Sequence, residues 1–129
     1  MANQFVVQLS NTPGGLATLA EALAVRGVDL RAIGGGGIGD LGHIILTTAD
    51  DAATRAVLEA GEYVFIEGES IIAEVDDRPG GMAAIARALA DAGVNIYGHL
   101  FLGRWGDRAM FAFVVDDPAA ARPILEHKA

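Results

Sequence analysis

The sequence predicts an α+β protein made of two successive modules, each an antiparallel sheet packed with helices. The main observation is an internal repeat, because the segment 13–23, which begins Pro13-Gly14-Gly15, returns as 79–89. An offset of 66 residues carries 5–58 onto 71–124 with 14 identities in 54 positions, ten of them within 13–28. Such a repeat indicates two copies of one supersecondary unit. We therefore expect module 1 at residues 1–68 and module 2 at residues 69–129.

Each module is predicted to begin with a strand followed by a helix. The segments Phe5–Leu9 and Ile71–Val75 are short and apolar, as strands are. The segments that follow carry apolar residues at i, i+3, i+4 and i+7, the spacing of one helical face. These residues are Leu16, Leu19, Ala20 and Leu23 in one copy and Met82, Ile85, Ala86 and Leu89 in the other. Proline is typical of the first helical position and glycine of a left-handed helix end, which we assign to Pro13 and Gly27, and to Pro79 and Gly93.

A β-hairpin and a second helix are predicted to follow in each copy. The hairpins start near Leu30 and Ile96, and their tips, 39–40 and 105–107, contain the Gly and Asp of tight turns. Asp51 and Asp117 are predicted to be the N-caps of the second helices. With Glu62–Ile66 as a fourth strand, the first copy has the βαββαβ order of a ferredoxin-like sheet. The second copy stops after its second helix, so its last strand is missing.

Two apolar strands lack the alternation of a half-exposed strand and are expected to be buried on both faces, namely Tyr63–Ile66 and 110–115. A further hypothesis is that Tyr63–Ile66 pairs with Ile71–Val75 and closes both halves into one seven-stranded sheet. In 95–102 the alternation is clear, and it predicts a contact surface. That surface contains Tyr97, His99 and Phe101.

The composition excludes several classes of function. Nine Lys and Arg against 17 Asp and Glu give a net charge of −8, which argues against nucleic acid and anionic membranes as partners. The absence of cysteine excludes disulfides, thiolate metal sites and thiol catalysis. No signal peptide or apolar run of membrane-spanning length is present, so we expect a cytoplasmic protein.

No metal, cofactor or catalytic site is predicted. His43, His99 and His127 show no metal-ligand spacing. The run 34–39 matches G-x-G-x-x-G, but an apolar strand follows it where a dinucleotide site requires a helix. Its glycines are expected to let an edge strand bend or a chain or ligand approach closely, or to be mobile. No nucleophile, base and orienting group occur together, so we do not expect an enzyme.

The repeated pattern of strand, Asn/Asp-x-Pro-Gly-x-Leu/Met, helix and Gly-Val-Asp/Asn resembles the ACT domain, a small regulatory module that commonly binds amino acids. The residues that carry it are Asn11, Pro13, Gly14, Leu16, Gly27, Asp29 and Leu30, and again Asp77, Pro79, Gly80, Met82, Gly93, Asn95 and Ile96. The resemblance implies a stand-alone protein of two such domains. It also implies a ligand held by the loop between strand 1 and helix 1, often where two domains meet.

The residues of these loops are suited to an amino acid. Free N–H groups at a helix start favour a carboxylate, and glycine lets it approach the backbone. Polar side chains at the ends of the flanking elements can accept hydrogen bonds from an ammonium group. The predicted ligand-binding residues are Asn11, Thr12, Gly14, Gly15, Leu16 and Asp29 in one copy, and Asp77, Arg78, Gly80, Gly81, Met82 and Asn95 in the other.

The two predicted sites differ in charge, since the neutral Asn11-Thr12 corresponds to the charged Asp77-Arg78. We therefore expect different affinities. The alternative is that each Pro-Gly-Gly segment only positions a helix, with Asn11 and Asp77 bonded to the local backbone.

The predicted function is a sensor that binds an amino acid or similar small carboxylate. We expect a homo-oligomer, most simply a dimer. Ligand binding is expected to change this self-association or the contact with an enzyme partner. The alternative is a ligand-free oligomerisation or interaction module that uses the aromatic surface and Trp105.

Overall fold

The computed structural model describes residues 2–126, in which the chain divides into two compact units, residues 2–68 and residues from 69 onward. The first unit contains β1 (Asn3–Ser10), α1 (Gly15–Val25), β2 (Leu30–Ile38), β3 (Leu41–Thr48), α2 (Asp51–Ala60) and β4 (Phe65–Glu69). The second contains β5 (Ile71–Asp76), α3 (Gly81–Asp91), β6 (Ile96–Trp105), β7 (Arg108–Val115) and α4 (Pro118–Leu125). Their antiparallel sheets have the strand orders β2-β3-β1-β4 and β5-β7-β6. The predicted α+β fold with βαββαβ-like modules is confirmed.

Each unit has its own apolar core between its sheet and its helices. Alternate residues of β1 are buried in the first core, together with residues of α1, β3 and α2. Alternate residues of β7 are buried in the second core, with residues of β5, α3 and α4. The central members are Phe5, Val7, Leu19, Leu23, Leu46 and Leu58 in the first, and Ile71, Leu89, Phe113, Val115, Ala121 and Leu125 in the second. The helical stripes read from the sequence supply Leu19, Leu23 and Leu89 to these cores.

The predicted helix ends at Gly27 and Gly93 are confirmed. Both glycines are left-handed, with φ of 70° and 75°. In α1 the N–H of Gly27 donates to Ala24 O at 2.9 Å and the N–H of Val28 donates to Leu23 O at 3.0 Å. This is the paired hydrogen bonding of a Schellman motif, and α3 repeats it.

The predicted helix starts at Pro13 and Pro79 are wrong. The helices begin at Gly15 and Gly81, and left-handed Gly14 and Gly80 are their N-caps, with φ of 91° and 89°. The N–H of Gly15 donates to Thr12 O at 3.2 Å. Proline followed by a left-handed glycine within such a hydrogen-bonded turn is the pattern of a type II turn. Each Pro-Gly-Gly segment is therefore a turn that leads into a helix.

The prediction for the fourth strand needs two corrections. β4 begins at Phe65, because Glu62 has a φ of 57° and ends α2 as a left-handed residue. β4 belongs to the first sheet beside β1, whereas β5 pairs with β7, so the hypothesis of a strand shared by both sheets is wrong.

Burial on both faces is confirmed for β7 and wrong for the Tyr63–Ile66 segment. Ala112 and Phe113 are adjacent in β7, point to opposite faces and are both at most 1% exposed. Val64 and Ile66, by contrast, are 68% and 41% exposed. The predicted alternation in β6 is confirmed for Tyr97, His99 and Phe101, all of which are exposed.

The offset between the copies changes from 66 to 67 residues within β6. Phe101 pairs with Phe111, but Gly103 pairs with Met110, so Leu102 is an extra residue in a β-bulge. The corresponding part of β2 is regular, since Gly35 pairs with Ile44 and Gly36 with His43.

This change corrects one predicted cap. Asp117 caps α4 by accepting a hydrogen bond from Ala120 N at 3.1 Å, as predicted. Its equivalent 67 residues earlier is Asp50, which accepts from Ala53 N at 3.0 Å, and Asp51 is the first residue of α2.

α4 is the last element within the described residues. Pro123 lies inside it, and the helix continues to Leu125. His127, one of the three histidines weighed as metal ligands, lies outside the described residues.

Candidate functional site

The loop between β1 and α1 presents free backbone donors at a helix start. Gly14 takes the left-handed conformation, and the Thr18 N–H makes the first helical bond to Gly14 O at 2.9 Å. The N–H groups of Leu16 and Ala17 have no backbone hydrogen-bond partner within residues 2–126, and no side chain caps the helix. Donors of this kind at the positive end of a helix dipole can bind a carboxylate.

Asn11 fastens this loop to the tip of the β2–β3 hairpin. Its N–H donates to Asp40 O and its Nδ2 donates to Gly39 O, both at 2.9 Å. The amide of Asn11 lies against Gly37 so closely that a Cβ on Gly37 would lie 2.6 Å from Asn11 Oδ1. The glycine at position 37 is therefore what allows the amide to lie there.

A groove of about 420 Å³ lies beside this loop, between the start of α1 and strands β2 and β3. Its apolar lining is Leu9, Leu16, Ile33 and Ile44, and its floor includes Gly34, Gly35, Gly36, Gly37 and Gly42. Its polar lining is Ser10, Asn11, Thr12 and His43. We call this cavity the β2 groove.

A second cavity, of about 340 Å³, lies at the start of α1. It is lined by Thr12, Pro13, Gly14, Gly15, Thr18 and Tyr63, with Leu9 and Ser10. Thr12 borders both this cavity and the β2 groove, so the loop separates the two. Five predicted residues therefore line cavities of the first unit, namely Asn11, Thr12, Gly14, Gly15 and Leu16.

The loop between β5 and α3 is occupied by ion pairs. Arg104 Nε lies 2.9 Å from Asp77 Oδ2, Arg78 lies 3.3 Å from Asp76 Oδ2, and Arg108 pairs with Asp76 as well. Gly80 has open space around it. The charges of Asp77 and Arg78 are thus already satisfied within the second unit.

Gly81 has a structural reason to be glycine. It is buried, and a Cβ there would overlap the carbonyl oxygen of Asp76. Met82, one residue on, is half-buried against the second core.

Asp29 and Asn95 are not brought to these loops. Asp29 precedes β2, whose first residue Leu30 pairs with Thr48 at the end of the sheet where β1 begins, whereas Asn11 follows the end of β1. Asp29 is exposed and lies 3.4 Å from Arg31. In the same position of the second unit, the Asn95 N–H donates to Asp116 Oδ1 at 2.9 Å.

The residues that line the groove from β2 and β3 were absent from the predicted site. They are Ile33, Ile44 and His43, together with the glycines of β2. The glycine run was the available signal, because glycine permits the close approach of a ligand to an edge strand.

The charged cluster with perturbed pKa values lies away from the groove. Arg55 donates to Glu67 through Nε at 2.7 Å and a terminal nitrogen at 2.6 Å, and Asn3 Nδ2 donates to the same carboxylate at 2.7 Å. The hydrogen bonds from Arg55 lower the pKa of Glu67; burial opposes this shift and the bond from Asn3 adds to it. Within residues 2–126, no group of three His, Cys, Asp or Glu residues could hold a metal ion, and no helix is long and apolar enough to cross a membrane.

Solved structures share this fold at low sequence identity. One is a protein of Bacteroides thetaiotaomicron, with a TM-score of 0.72 and 19% identity, covering 97% of this chain and 86% of that chain. The ligand-free regulatory subunit of aspartate kinase from Thermus thermophilus gives 0.61 and 20%, covering 97% and 87%. The corresponding subunit from Thermus flavus gives 0.64 and 19%, covering 98% and 92%. The chain has an ACT-like fold.

No family model and no curated protein sequence matches the chain. The likeness to the ACT domain therefore depends on the fold and on the repeated loop residues.

Proposed function

We propose that the chain is a non-catalytic regulatory protein that binds an amino acid or a similar small carboxylate at its strand–loop–helix segments. The observation that carries this proposal is the juxtaposition, in the first unit, of free N–H groups at the start of α1 with two cavities that share Thr12. Backbone donors suit the carboxylate of any amino acid, and an adjoining apolar groove suits its side chain.

A regulatory role is supported by the similar structures. Two of them are named as regulatory subunits of aspartate kinase. The first loop presents backbone donors, the amide of Asn11 and the hydroxyls of Ser10 and Thr12, and the residues that line its two cavities include no carboxylate to act as an acid or base. The protein would self-associate as a dimer, and ligand binding would change this self-association or the contact with an enzyme partner.

Thermal unfolding in the presence of each amino acid at millimolar concentration tests the proposal. A ligand that binds only the folded state raises the unfolding midpoint, by an amount that grows with its concentration. We expect at least one amino acid to do so, and Gly14→Val to abolish the response, because the added side chain would strain the left-handed turn. An unchanged midpoint with every amino acid would rule the proposal out.

A ligand-free interaction module is a second candidate, favoured by exposed apolar side chains. In the second unit Tyr97, Phe101 and Trp105 are about half exposed or more, while Ile38 at the first hairpin tip is 91% exposed. This candidate predicts a fixed oligomer in size-exclusion chromatography whose elution no amino acid changes. It also predicts that Trp105→Ser weakens the oligomer.

A further inference from the structure

The two units can be compared position by position through their strand pairing. Gly35 pairs with Ile44 in the first unit, and Phe101 pairs with Phe111 in the second. Two pairs further on, Gly37 faces Gly42 where Arg104 faces Ala109. The floor of the β2 groove therefore consists of glycines at the two positions where the second unit carries a phenyl ring and a guanidinium group.

The second unit fills the corresponding space with its own side chains. The ring of Phe101 lies 5.5 Å from that of Phe111, centroid to centroid, and the guanidinium carbon of Arg104 lies 4.8 Å from the centroid of Phe101. Arg104 also pairs with Asp77, which is the equivalent of Asn11. The second unit thus holds a phenyl ring, a cation stacked on it and a carboxylate that binds the cation.

The loops differ in the same sense. Ser10, Asn11 and Thr12 border the open groove, whereas Asp76, Asp77 and Arg78 at the equivalent positions are engaged in ion pairs. The residues that line the β2 groove include no Lys or Arg, so no internal ion pair fills it.

We propose that the ligand site is confined to the first unit, in the β2 groove, and that it takes an amino acid with an apolar side chain of about the size of a phenyl ring. This inference rests on the proposed function and narrows it to one site and one ligand class. The ligand side chain lies over Gly35 against Leu16 and Ile44, as Phe101 lies against Phe111. The ammonium group meets Asn11 Oδ1, as Arg104 meets Asp77.

An amino acid with a large apolar side chain matches a groove that combines apolar walls with the neutral amide of Asn11. A charged side chain would lose hydration against Ile33 and Ile44 without gaining a partner. A small side chain such as that of alanine would leave most of the groove to water and bury little apolar surface.

Titration calorimetry of the full chain with phenylalanine, alanine, aspartate and lysine tests the inference. We expect phenylalanine to bind once per chain and at least about tenfold more tightly than alanine, as the extra buried apolar surface requires. Two equivalents per chain, or alanine, aspartate or lysine binding as tightly as phenylalanine, would overturn it while leaving the proposed function intact. If none of the twenty amino acids binds, the proposed function fails with it.

Two variants of the first unit and one of the second locate the site. Leu16→Glu places a carboxylate on an exposed groove residue at a helix start, where it is tolerated, and should weaken phenylalanine binding at least about tenfold. The double variant Asn11→Asp/Gly37→Arg installs the ion pair of the second unit and should abolish binding. Arg104→Ala is the matched control and should leave the affinity unchanged. Loss of binding in Arg104→Ala with retention in Leu16→Glu would place the site in the second unit and refute the inference.

Discussion

Glu62 holds a backbone conformation that normally belongs to glycine. It ends α2 with a φ of 57°, and its N–H donates to Glu59 O at 3.0 Å while the N–H of Tyr63 donates to Leu58 O at 3.0 Å. The same position is glycine at the ends of α1 and α3. For a residue with a Cβ, this conformation costs about 1–2 kcal/mol.

Glu62→Gly should therefore stabilise the protein. Part of the relief is offset by the greater freedom of glycine in the unfolded chain, so we expect a net gain of about 0.5–1 kcal/mol and a rise in the unfolding midpoint of about 3–5 °C. Thermal unfolding followed by circular dichroism measures this. Gly27→Ala is the opposite control and should lower the midpoint, because the alanine would be strained at a φ of 70°. An unchanged or lower midpoint for Glu62→Gly would show that the turn is not strained.

Glu67 makes the stability of the first unit dependent on pH. Its pKa is lowered in the folded state, first by the hydrogen bonds from Arg55, so its ionised form is favoured by folding. The resulting stability is present above the unfolded pKa of about 4.3 and is lost as the pH falls through the lowered folded pKa.

Glu67→Gln should lower the unfolding midpoint at pH 7, and the difference from the parent should shrink as the pH falls below about 4. Unfolding by urea at several pH values measures it. Glu59→Gln, a change at an exposed carboxylate of α2, is the control and should have little effect at either pH. A difference that persists at low pH would mean that Glu67 stabilises the fold through packing and not through its charge.

At the scale of elements, Asp50 and Asp117 are equivalent residues of the repeat, and they cap the N-termini of α2 and α4. Asp50→Ala and Asp117→Ala should each destabilise the protein by about 1 kcal/mol, because each removes the acceptor of an N-terminal helix N–H. Asp50→Ser retains a capping oxygen and should be nearly neutral. Urea unfolding of the three variants measures this, and equal losses for Asp50→Ala and Asp50→Ser would contradict the capping role.

The first residues of α1 and α3, Gly15 and Gly81, should respond differently to substitution by alanine, which adds a methyl group. A Cβ on Gly81 overlaps Asp76 O and lies 3.1 Å from Val75 Cγ1, so Gly81→Ala should cost about 1–3 kcal/mol. A Cβ on Gly15 would lie 3.0 Å from Ser10 O, a contact that a small shift relieves, and Gly15→Ala should cost about 1 kcal/mol or less. Denaturant unfolding compares the pair, and equal costs would mean that the turns relax alike.

For the molecule as a whole, the repeat made the order of elements predictable because identical residues cluster in α1, in the turn before it and at its C-terminal end. An offset of 66 aligns Pro13, Gly14 and Gly27 with Pro79, Gly80 and Gly93. Beyond the hairpins the better offset is 67, which aligns Arg55, Leu58 and Glu59 with Arg122, Leu125 and Glu126. An ungapped comparison cannot represent a bulge, and the predicted N-cap of α2, Asp51, is therefore one residue too late.

The candidate site was predictable only in part. The loop glycines and Asn11 could be found from their repeat, since turn chemistry is local in sequence. The groove walls Ile33 and Ile44 lie about 20 and 30 residues further along the chain, and strand pairing brings them to the loop. Asp29 flanks the same helix in sequence, but the direction of β2 places it at the far end of the sheet.

The bulge at Leu102 has a consequence for how two copies of one gene segment can diverge. Because side chains alternate along a strand, one additional residue would exchange the faces of all residues after it if no bulge absorbed it. In β6 the bulge takes up Leu102, so Arg104 still faces Ala109, as Gly37 faces Gly42, and it reaches Asp77. The salt link that occupies the second loop is therefore compatible with one inserted codon in β6. A duplicated module can in this way change its length at one position while the residues on either side of the insertion keep their faces.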